Sequence, residues 1–201
     1  MSQSIEKKVL SRIYGHGRGW VFTLKDFSDL GSEEAIKVSL HRIVKDEIVE
    51  RLKVGLYYYP EVSDIFGIVP PSLEKIALAL ASKYKIRIQP SGAYAANLLG
   101  LSDQVPAKVV YLTDGETKKI IIGKRQITFK KTTPKNMGLT SKTSGLVIQA
   151  LRYLGKDHID DRKISIIKSK LSDTDKKTLL KDAAFAPNWI IKIIRDQIVE
   201  S

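Results

Sequence analysis

Between Gly31 and Pro60 the apolar residues change from helical to strand-like spacing, the helix fading near Asp46-Glu47, and this switch organises the reading of the chain. Ala35, Ile36, Leu40, Ile43 and Val44 recur at helical spacing and define one apolar stripe. Ser32 supplies an N-cap, and Glu33 and Glu34 suit the positive end of the helix dipole. The opposite side presents Lys37, His41, Arg42 and Lys45, about one turn apart. Two β-type runs follow, Ile48 to Leu52 and Leu56 to Tyr59, joined by Lys53-Val54-Gly55. A glycine between such runs signals a hairpin, since it accepts the positive φ of a tight turn. A basic helix followed by a hairpin suggests a winged helix-turn-helix; the alternative is an ordinary amphipathic helix with a solvated face.

The residues before this stretch favour the first reading. Ile5, Val9, Leu10 and Ile13 mark a helix stopped by the glycine cluster Gly15-His16-Gly17-Arg18-Gly19. That cluster does not match the dinucleotide fingerprint, because Trp20 stands where the third glycine belongs and no strand precedes it. It reads as a turn whose His16 and Arg18 can meet a phosphate. Trp20-Val21-Phe22 forms a short strand, and Thr23 caps a second helix with Phe27 and Leu30 as its apolar face. Helix, strand, helix, turn, helix, hairpin is the winged-helix order over 1–60. The third helix would enter a major groove, with Arg42 as the candidate bidentate guanine contact. Lys37, His41 and Lys45 would flank it, Arg51 and Lys53 would brace the backbone from the hairpin, and Arg18 and Lys25 complete the expected DNA-binding set.

The net charge of +12 points to a polyanionic partner. Yet residues 1–60 carry 10 basic and 8 acidic side chains, whereas 61–135 carry 12 and 6, and 136–201 carry 12 and 8. The excess lies mostly behind the expected DNA-reading module. Either the later part also approaches nucleic acid or its lysines are simply solvated. The chain has no cysteine, so disulfides and thiolate metal sites are excluded. No apolar run approaches the length of a membrane span, and Met1 to Lys8 lacks the apolar core of a signal peptide, so a cytoplasmic location without membrane contact is expected.

Residues 61–71 read as a connector ending in two prolines. Leu73 to Lys83 is a helix capped by Ser72, Ile86 to Ile88 a strand broken by Pro90, and Ser91 to Leu101 a small-residue helix closed by Gly100. Ala107 to Thr113, Lys119 to Ile122 and Gln126 to Lys130, separated by Asp114-Gly115 and Gly123-Lys124, read as a three-stranded antiparallel meander over about 107–131. Four amphipathic helices over about 143–200 complete an α+β domain of residues 61–201. One of them starts with Ser172 and Asp175 in capping-box order. Lys118, Lys119, Lys124, Arg125, Lys130 and Lys131 cluster on the meander. They are either a solvated face that protects sheet edges or a positive surface for a partner. Tyr94 and Asn97 share a helical face and either pack or join that surface.

Catalysis finds little support. His16, His41 and His158 lie in three segments without ligand spacing, and neither a metal nor a cofactor is expected. Asp173-x-Asp175 imitates the paired carboxylates of nucleotidyltransferases, but it sits at a helix start where acids belong anyway.

The run Gln89-Pro90-Ser91-Gly92-Ala93-Tyr94-Ala95-Ala96-Asn97-Leu98-Leu99-Gly100-Leu101 leads through Gln104-Val105-Pro106 to Val110-Tyr111-Leu112-Thr113-Asp114-Gly115. It resembles AbiEi-type antitoxins of bacterial abortive-infection, type IV toxin–antitoxin systems. The similarity reaches back to Gly17-Arg18-Gly19-Trp20-Val21-Phe22 and forward to Ser144-Gly145-Leu146-Val147-Ile148-Gln149-Ala150-Leu151. The resemblance implies an N-terminal winged helix that represses its own operon by binding an inverted repeat in promoter DNA. It also implies a C-terminal domain that counteracts a nucleotidyltransferase-like toxin. The chain departs from the family pattern at Val54, where a basic residue often precedes the wing glycine. Two alternatives stay open: a protein that inhibits the toxin by direct contact, and an RNA-binding module that protects the toxin's substrate.

Overall fold

The computed structural model describes residues 4–104 and 106–199 and divides into two compact units between Lys85 and Ile86. Val105 of the family-like run, and the last residue of the expected helical part, lie outside the described residues. The chain is α+β throughout, with small sheets among helices.

In the first unit, α1 (Ile5–His16) leads through β1 (Val21–Phe22) to a single 3₁₀ turn, Leu24–Phe27, and then to α2 (Glu33–Lys45). The helix expected from Thr23 is therefore only one turn long. Asp26 folds back to accept from the Thr23 backbone at 2.7 Å and its hydroxyl at 2.9 Å, which tightens the turn. Strands β2 (Glu50–Lys53) and β3 (Leu56–Tyr58) form the expected hairpin, and the sheet order is β1-β3-β2, antiparallel throughout. Gly55 at its turn has φ +71°, which suits a residue without a side chain. Val9, Ile13, Phe22, Phe27, Ile36 and Leu40 make the centre of the core, with Phe22 stacked on Tyr57 and edge-on to Phe27. Arg12 ties α1 to the loop before α2 through two bonds to Asp29, at 2.6 and 2.7 Å, and one to the Asp26 carbonyl at 2.7 Å. This fork holds the Asp29 carboxyl at about 2 and pushes the guanidinium up.

The unit continues past residue 60, where a boundary was expected. Instead of a connector, Glu61–Ser63 (β4) and Gly67–Val69 (β5) pair as a second hairpin, followed by α3 (Leu73–Tyr84) with Ser72 as its N-cap. The buried Tyr58 hydroxyl donates to the Val69 carbonyl at 2.7 Å and accepts from the Glu61 amide at 3.1 Å, rooting this hairpin on β3.

The second unit contains a four-stranded mixed sheet, not a three-stranded antiparallel meander. Its strands are β6 (Ile88–Ser91), β7 (Lys108–Thr113), β8 (Lys118–Ile122) and β9 (Arg125–Lys131), in the order β6-β7-β9-β8. β9 inserts between β7 and β8 and runs parallel to β7, with Tyr111 opposite Phe129. The Asp114-Gly115 pair does not close a hairpin. Asp114 instead accepts from the Arg87 amide and its Nε, both at 2.8 Å, which fastens the end of β7 to the start of β6. Pro90 sits within β6 rather than ending it, as an edge strand permits.

Helices α4 (Ala93–Leu98), α5 (Pro134–Met137), α6 (Lys142–Leu154), α7 (Asp161–Ser169), α8 (Asp173–Asp182) and α9 (Asn188–Ile193), the last continued by a π-helical turn to Val199, supply the rest. Ala95, Ala96, Val147, Leu151, Leu179 and Ile190 lie at the heart of their core. The small residues of α4 allow α6 to approach, and Gly145 leaves room for Gln89, whose amide nitrogen would stand 2.5 Å from an added Cβ. Asp182, fully buried, accepts from the amides of Thr140 and Ser141 at 3.0 to 3.2 Å and so anchors the entry into α6. Burial pushes its carboxyl up, but these hydrogen bonds outweigh it and leave the carboxyl below the usual range.

Candidate nucleic-acid interface

The apolar stripe of α2 is spent on the core of the first unit, which leaves its other side to solvent. Lys37, His41 and Lys45 follow one another at four-residue intervals along that side, all exposed, with Arg42 beside them. Two of the cations are held by acids of the same unit. Lys37 pairs with Glu33 one turn back at 2.5 Å, which raises the lysine and lowers the glutamate. Arg42 reaches Glu6 of α1 at 3.2 Å. Their side chains remain 50% and 65% exposed, so neither pair blocks approach by a stronger anion.

The β2–β3 hairpin adds Arg51 and Lys53 on one face of β2, both exposed. Between α2 and the hairpin lies a groove of about 460 Å³, lined by Lys37, His41 and Arg51 with Tyr57 and Val44 on its apolar side. Lys83, from the last turn of α3, joins these cations at Gly55. The sequence reading missed Lys83; its only signal was a basic residue at the end of a helix 25 positions downstream of the hairpin's last residue, Tyr58, a placement that only the fold reveals.

Two other expected contacts are used elsewhere. Arg18 donates to the Pro60 carbonyl at 2.9 Å and lies over the Tyr59 ring, while Lys25 donates to the Ser82 carbonyl at 3.1 Å at the C-terminal end of α3. Each closes the fold of its unit. His16 stacks on Trp20, with ring centroids 3.8 Å apart.

In the second unit the cluster of basic residues divides between the faces of the sheet. The register places Lys119 beside Thr128, Lys130 beside Leu112 and Lys108 beside Gln126, so these three lysines share one face. That face of β7, β8 and β9 holds no acidic side chain, and the Gln126 amide bonds the Thr128 hydroxyl at 3.0 Å at its centre. Lys118, Arg125 and Lys131 belong to the opposite face, where Lys131 is taken by Glu116 at 2.7 Å. Lys124 is exposed at the β8–β9 turn. Tyr94 is buried, with its ring edge-on to Tyr111, and Asn97 donates to the Ser102 carbonyl at 3.1 Å. Both pack and close a loop; neither joins the basic surface.

Among the described residues no group of three His, Asp or Glu side chains is placed to hold a metal ion, and no helix is long and apolar enough to cross a membrane. The model of one protein family, described as DUF6088, a family of unknown function, matches residues 8–179. No curated protein matches the chain.

Proposed function

The chain belongs to DUF6088, a family that brings no function with it, and from the chain's own surface we propose that its first unit binds duplex DNA as a winged helix-turn-helix. The element order and the β1-β3-β2 sheet support that assignment, with the 3₁₀ turn at Leu24–Phe27 replacing the first helix of the helix-turn-helix. The carrying observation is the exposed row of basic residues Lys37, His41 and Lys45, with Arg42 at its side and Arg51 across the groove. In this reading Arg42 leaves Glu6 for a guanine edge, a planar fork suited to O6 and N7. Lys45, Lys53 and Lys83 take phosphates.

The resemblance to AbiEi-type antitoxins supplies the biological reading: an autorepressor, without catalytic activity, that also counteracts a neighbouring nucleotidyltransferase-like toxin. A gel-shift against the chain's own promoter region tests the DNA part. Arg42→Ala with Lys45→Ala is expected to weaken binding about 100-fold while the fold is kept. Unchanged affinity would remove α2 from the interface. Co-expression with the toxin tests the other part, since the second unit, from Ile86 on, would carry the rescue.

The acid-free lysine face of β7, β8 and β9 favours a second reading, in which the second unit binds RNA. Crosslinking to RNA that disappears in the Lys108→Ala, Lys119→Ala, Lys130→Ala variant would establish it.

A further inference from the structure

The β4–β5 hairpin presents an apolar surface with no cover. Val62 and Ile68 stand opposite one another in the ladder and are each 54% exposed, while Ile65 and Phe66 at the tip are 83% and 81% exposed. A two-stranded ribbon alone is marginal in water, and an uncovered apolar one invites pairing. Yet this hairpin is rooted, not loose. The Tyr58 hydroxyl clamps both strands at the root of its ladder, where Glu61 and Val69 pair, and the Ser63 hydroxyl accepts from the Ile65 and Phe66 amides at 3.3 and 3.4 Å, shaping the tip. An anchored, exposed apolar element of this kind is suited to docking.

We propose that its occupant is the same hairpin of a second copy, the two lying antiparallel about a twofold axis. Charge favours that arrangement. The tip carries the exposed Asp64, while the base is flanked by Arg18, on the Pro60 carbonyl, and by Lys75, 3.9 Å from Glu61. Antiparallel apposition sets each Asp64 against the partner's basic root and keeps the two acidic tips apart. An isologous contact of this kind satisfies both copies at once. The area is sufficient. The four side chains leave about 500 Å² of apolar surface per copy, so a pair buries at most about 1,000 Å², the lower end of specific interfaces. The dimer is accordingly one that forms at micromolar concentration and dissociates on dilution. It needs no nucleic acid, so it stands apart from the DNA reading.

Sedimentation of the full chain without DNA is the test. The wild type is expected to be dimeric at tens of micromolar and Ile65→Asp with Phe66→Asp monomeric, with equal thermal melts at dilutions where both are monomeric, since both residues are outside the core. Because the chain has no cysteine, a single one reports proximity. Ile68→Cys, in the middle row of the ladder and hence near the axis, should give a covalent dimer under mild oxidation. Leu180→Cys, exposed on α8, should not. A monomeric wild type overturns the inference, including one that instead binds lipid vesicles or a different protein through the hairpin. So does a dimer that survives the tip substitutions, or equal crosslinking at both positions.

Discussion

The two units distribute charge in opposite ways. Residues 1–85 hold 13 basic and 11 acidic side chains, net +2, whereas residues 86–201 hold 21 and 11, net +10. The nearly neutral unit nonetheless carries the better-formed concave cationic site, because its acids are placed to hold particular cations and leave a row between them open. Glu33 steadies Lys37, Glu6 steadies Arg42, and His41 and Lys45 stay uncovered. The strongly basic unit sets Lys108, Lys119 and Lys130 on one face of its sheet, with no acid among them. Total charge measures attraction to polyanions in general; geometry decides where a particular one is read.

The hardest test of that contrast sets α2 against the sheet. Replacing His41, Arg42 and Lys45 together by alanine should cost at least about 100-fold in duplex binding, with a shallower salt dependence. Replacing Lys108, Lys119 and Lys130 should cost less than about fivefold, although it removes the same number of basic side chains. Equal losses would mean that bulk charge governs both. A second test concerns what holds each unit together. Asp182→Ala strips the buried acceptor from the amides of Thr140 and Ser141 and should destabilise the second unit by about 2 kcal/mol, seen in chemical denaturation, while leaving the first unit's signal in place.

Acid distinguishes the units further. Asp29 is depressed to about 2 by the hydrogen bond from Arg12. Its contribution is therefore complete above the ordinary carboxylate range and lost as pH falls through about 2. Arg12→Ala should remove that acid-resistant part of the first unit's titration and leave the second unit's unchanged. The smallest effect is expected from Glu33→Gln, which frees Lys37: duplex affinity should rise about two- to threefold at low salt and not at high salt.

Much of this architecture was legible because local chemistry agreed with the fold. The caps at Ser32, Ser72 and Ser172 start helices as their spacing implies, and the Ser172–Asp175 box forms with both reciprocal bonds. Gly55 between two strand-like runs marked a real hairpin. Strand order was not legible. Asp114-Gly115 has turn chemistry, but Asp114 spends it on Arg87, a partner 27 residues earlier, and the chain passes on without pairing β7 to β8. The β4–β5 hairpin was hidden by the prolines after it, although Gly67 between Phe66 and Ile68 was the available signal. Within the candidate site, the outward placement of the basic residues of α2 was legible from periodicity alone. Arg18 and Lys25 were ambiguous, because an exposed basic residue near a turn looks the same whether its partner is a phosphate or a backbone carbonyl. Tyr94 and Asn97 were ambiguous in the same way, since helical facing does not say which side meets the core.

The insertion of β9 between β7 and β8 carries a consequence for synthesis. A nascent chain that has emerged only to residue 124 has made β8 but cannot seat it, because the strand it must lie against is still in the ribosome. Until then β7 offers an unpaired edge, and translation stalled there would leave a product more exposed to chaperones and proteases than one halted a few codons after Lys131.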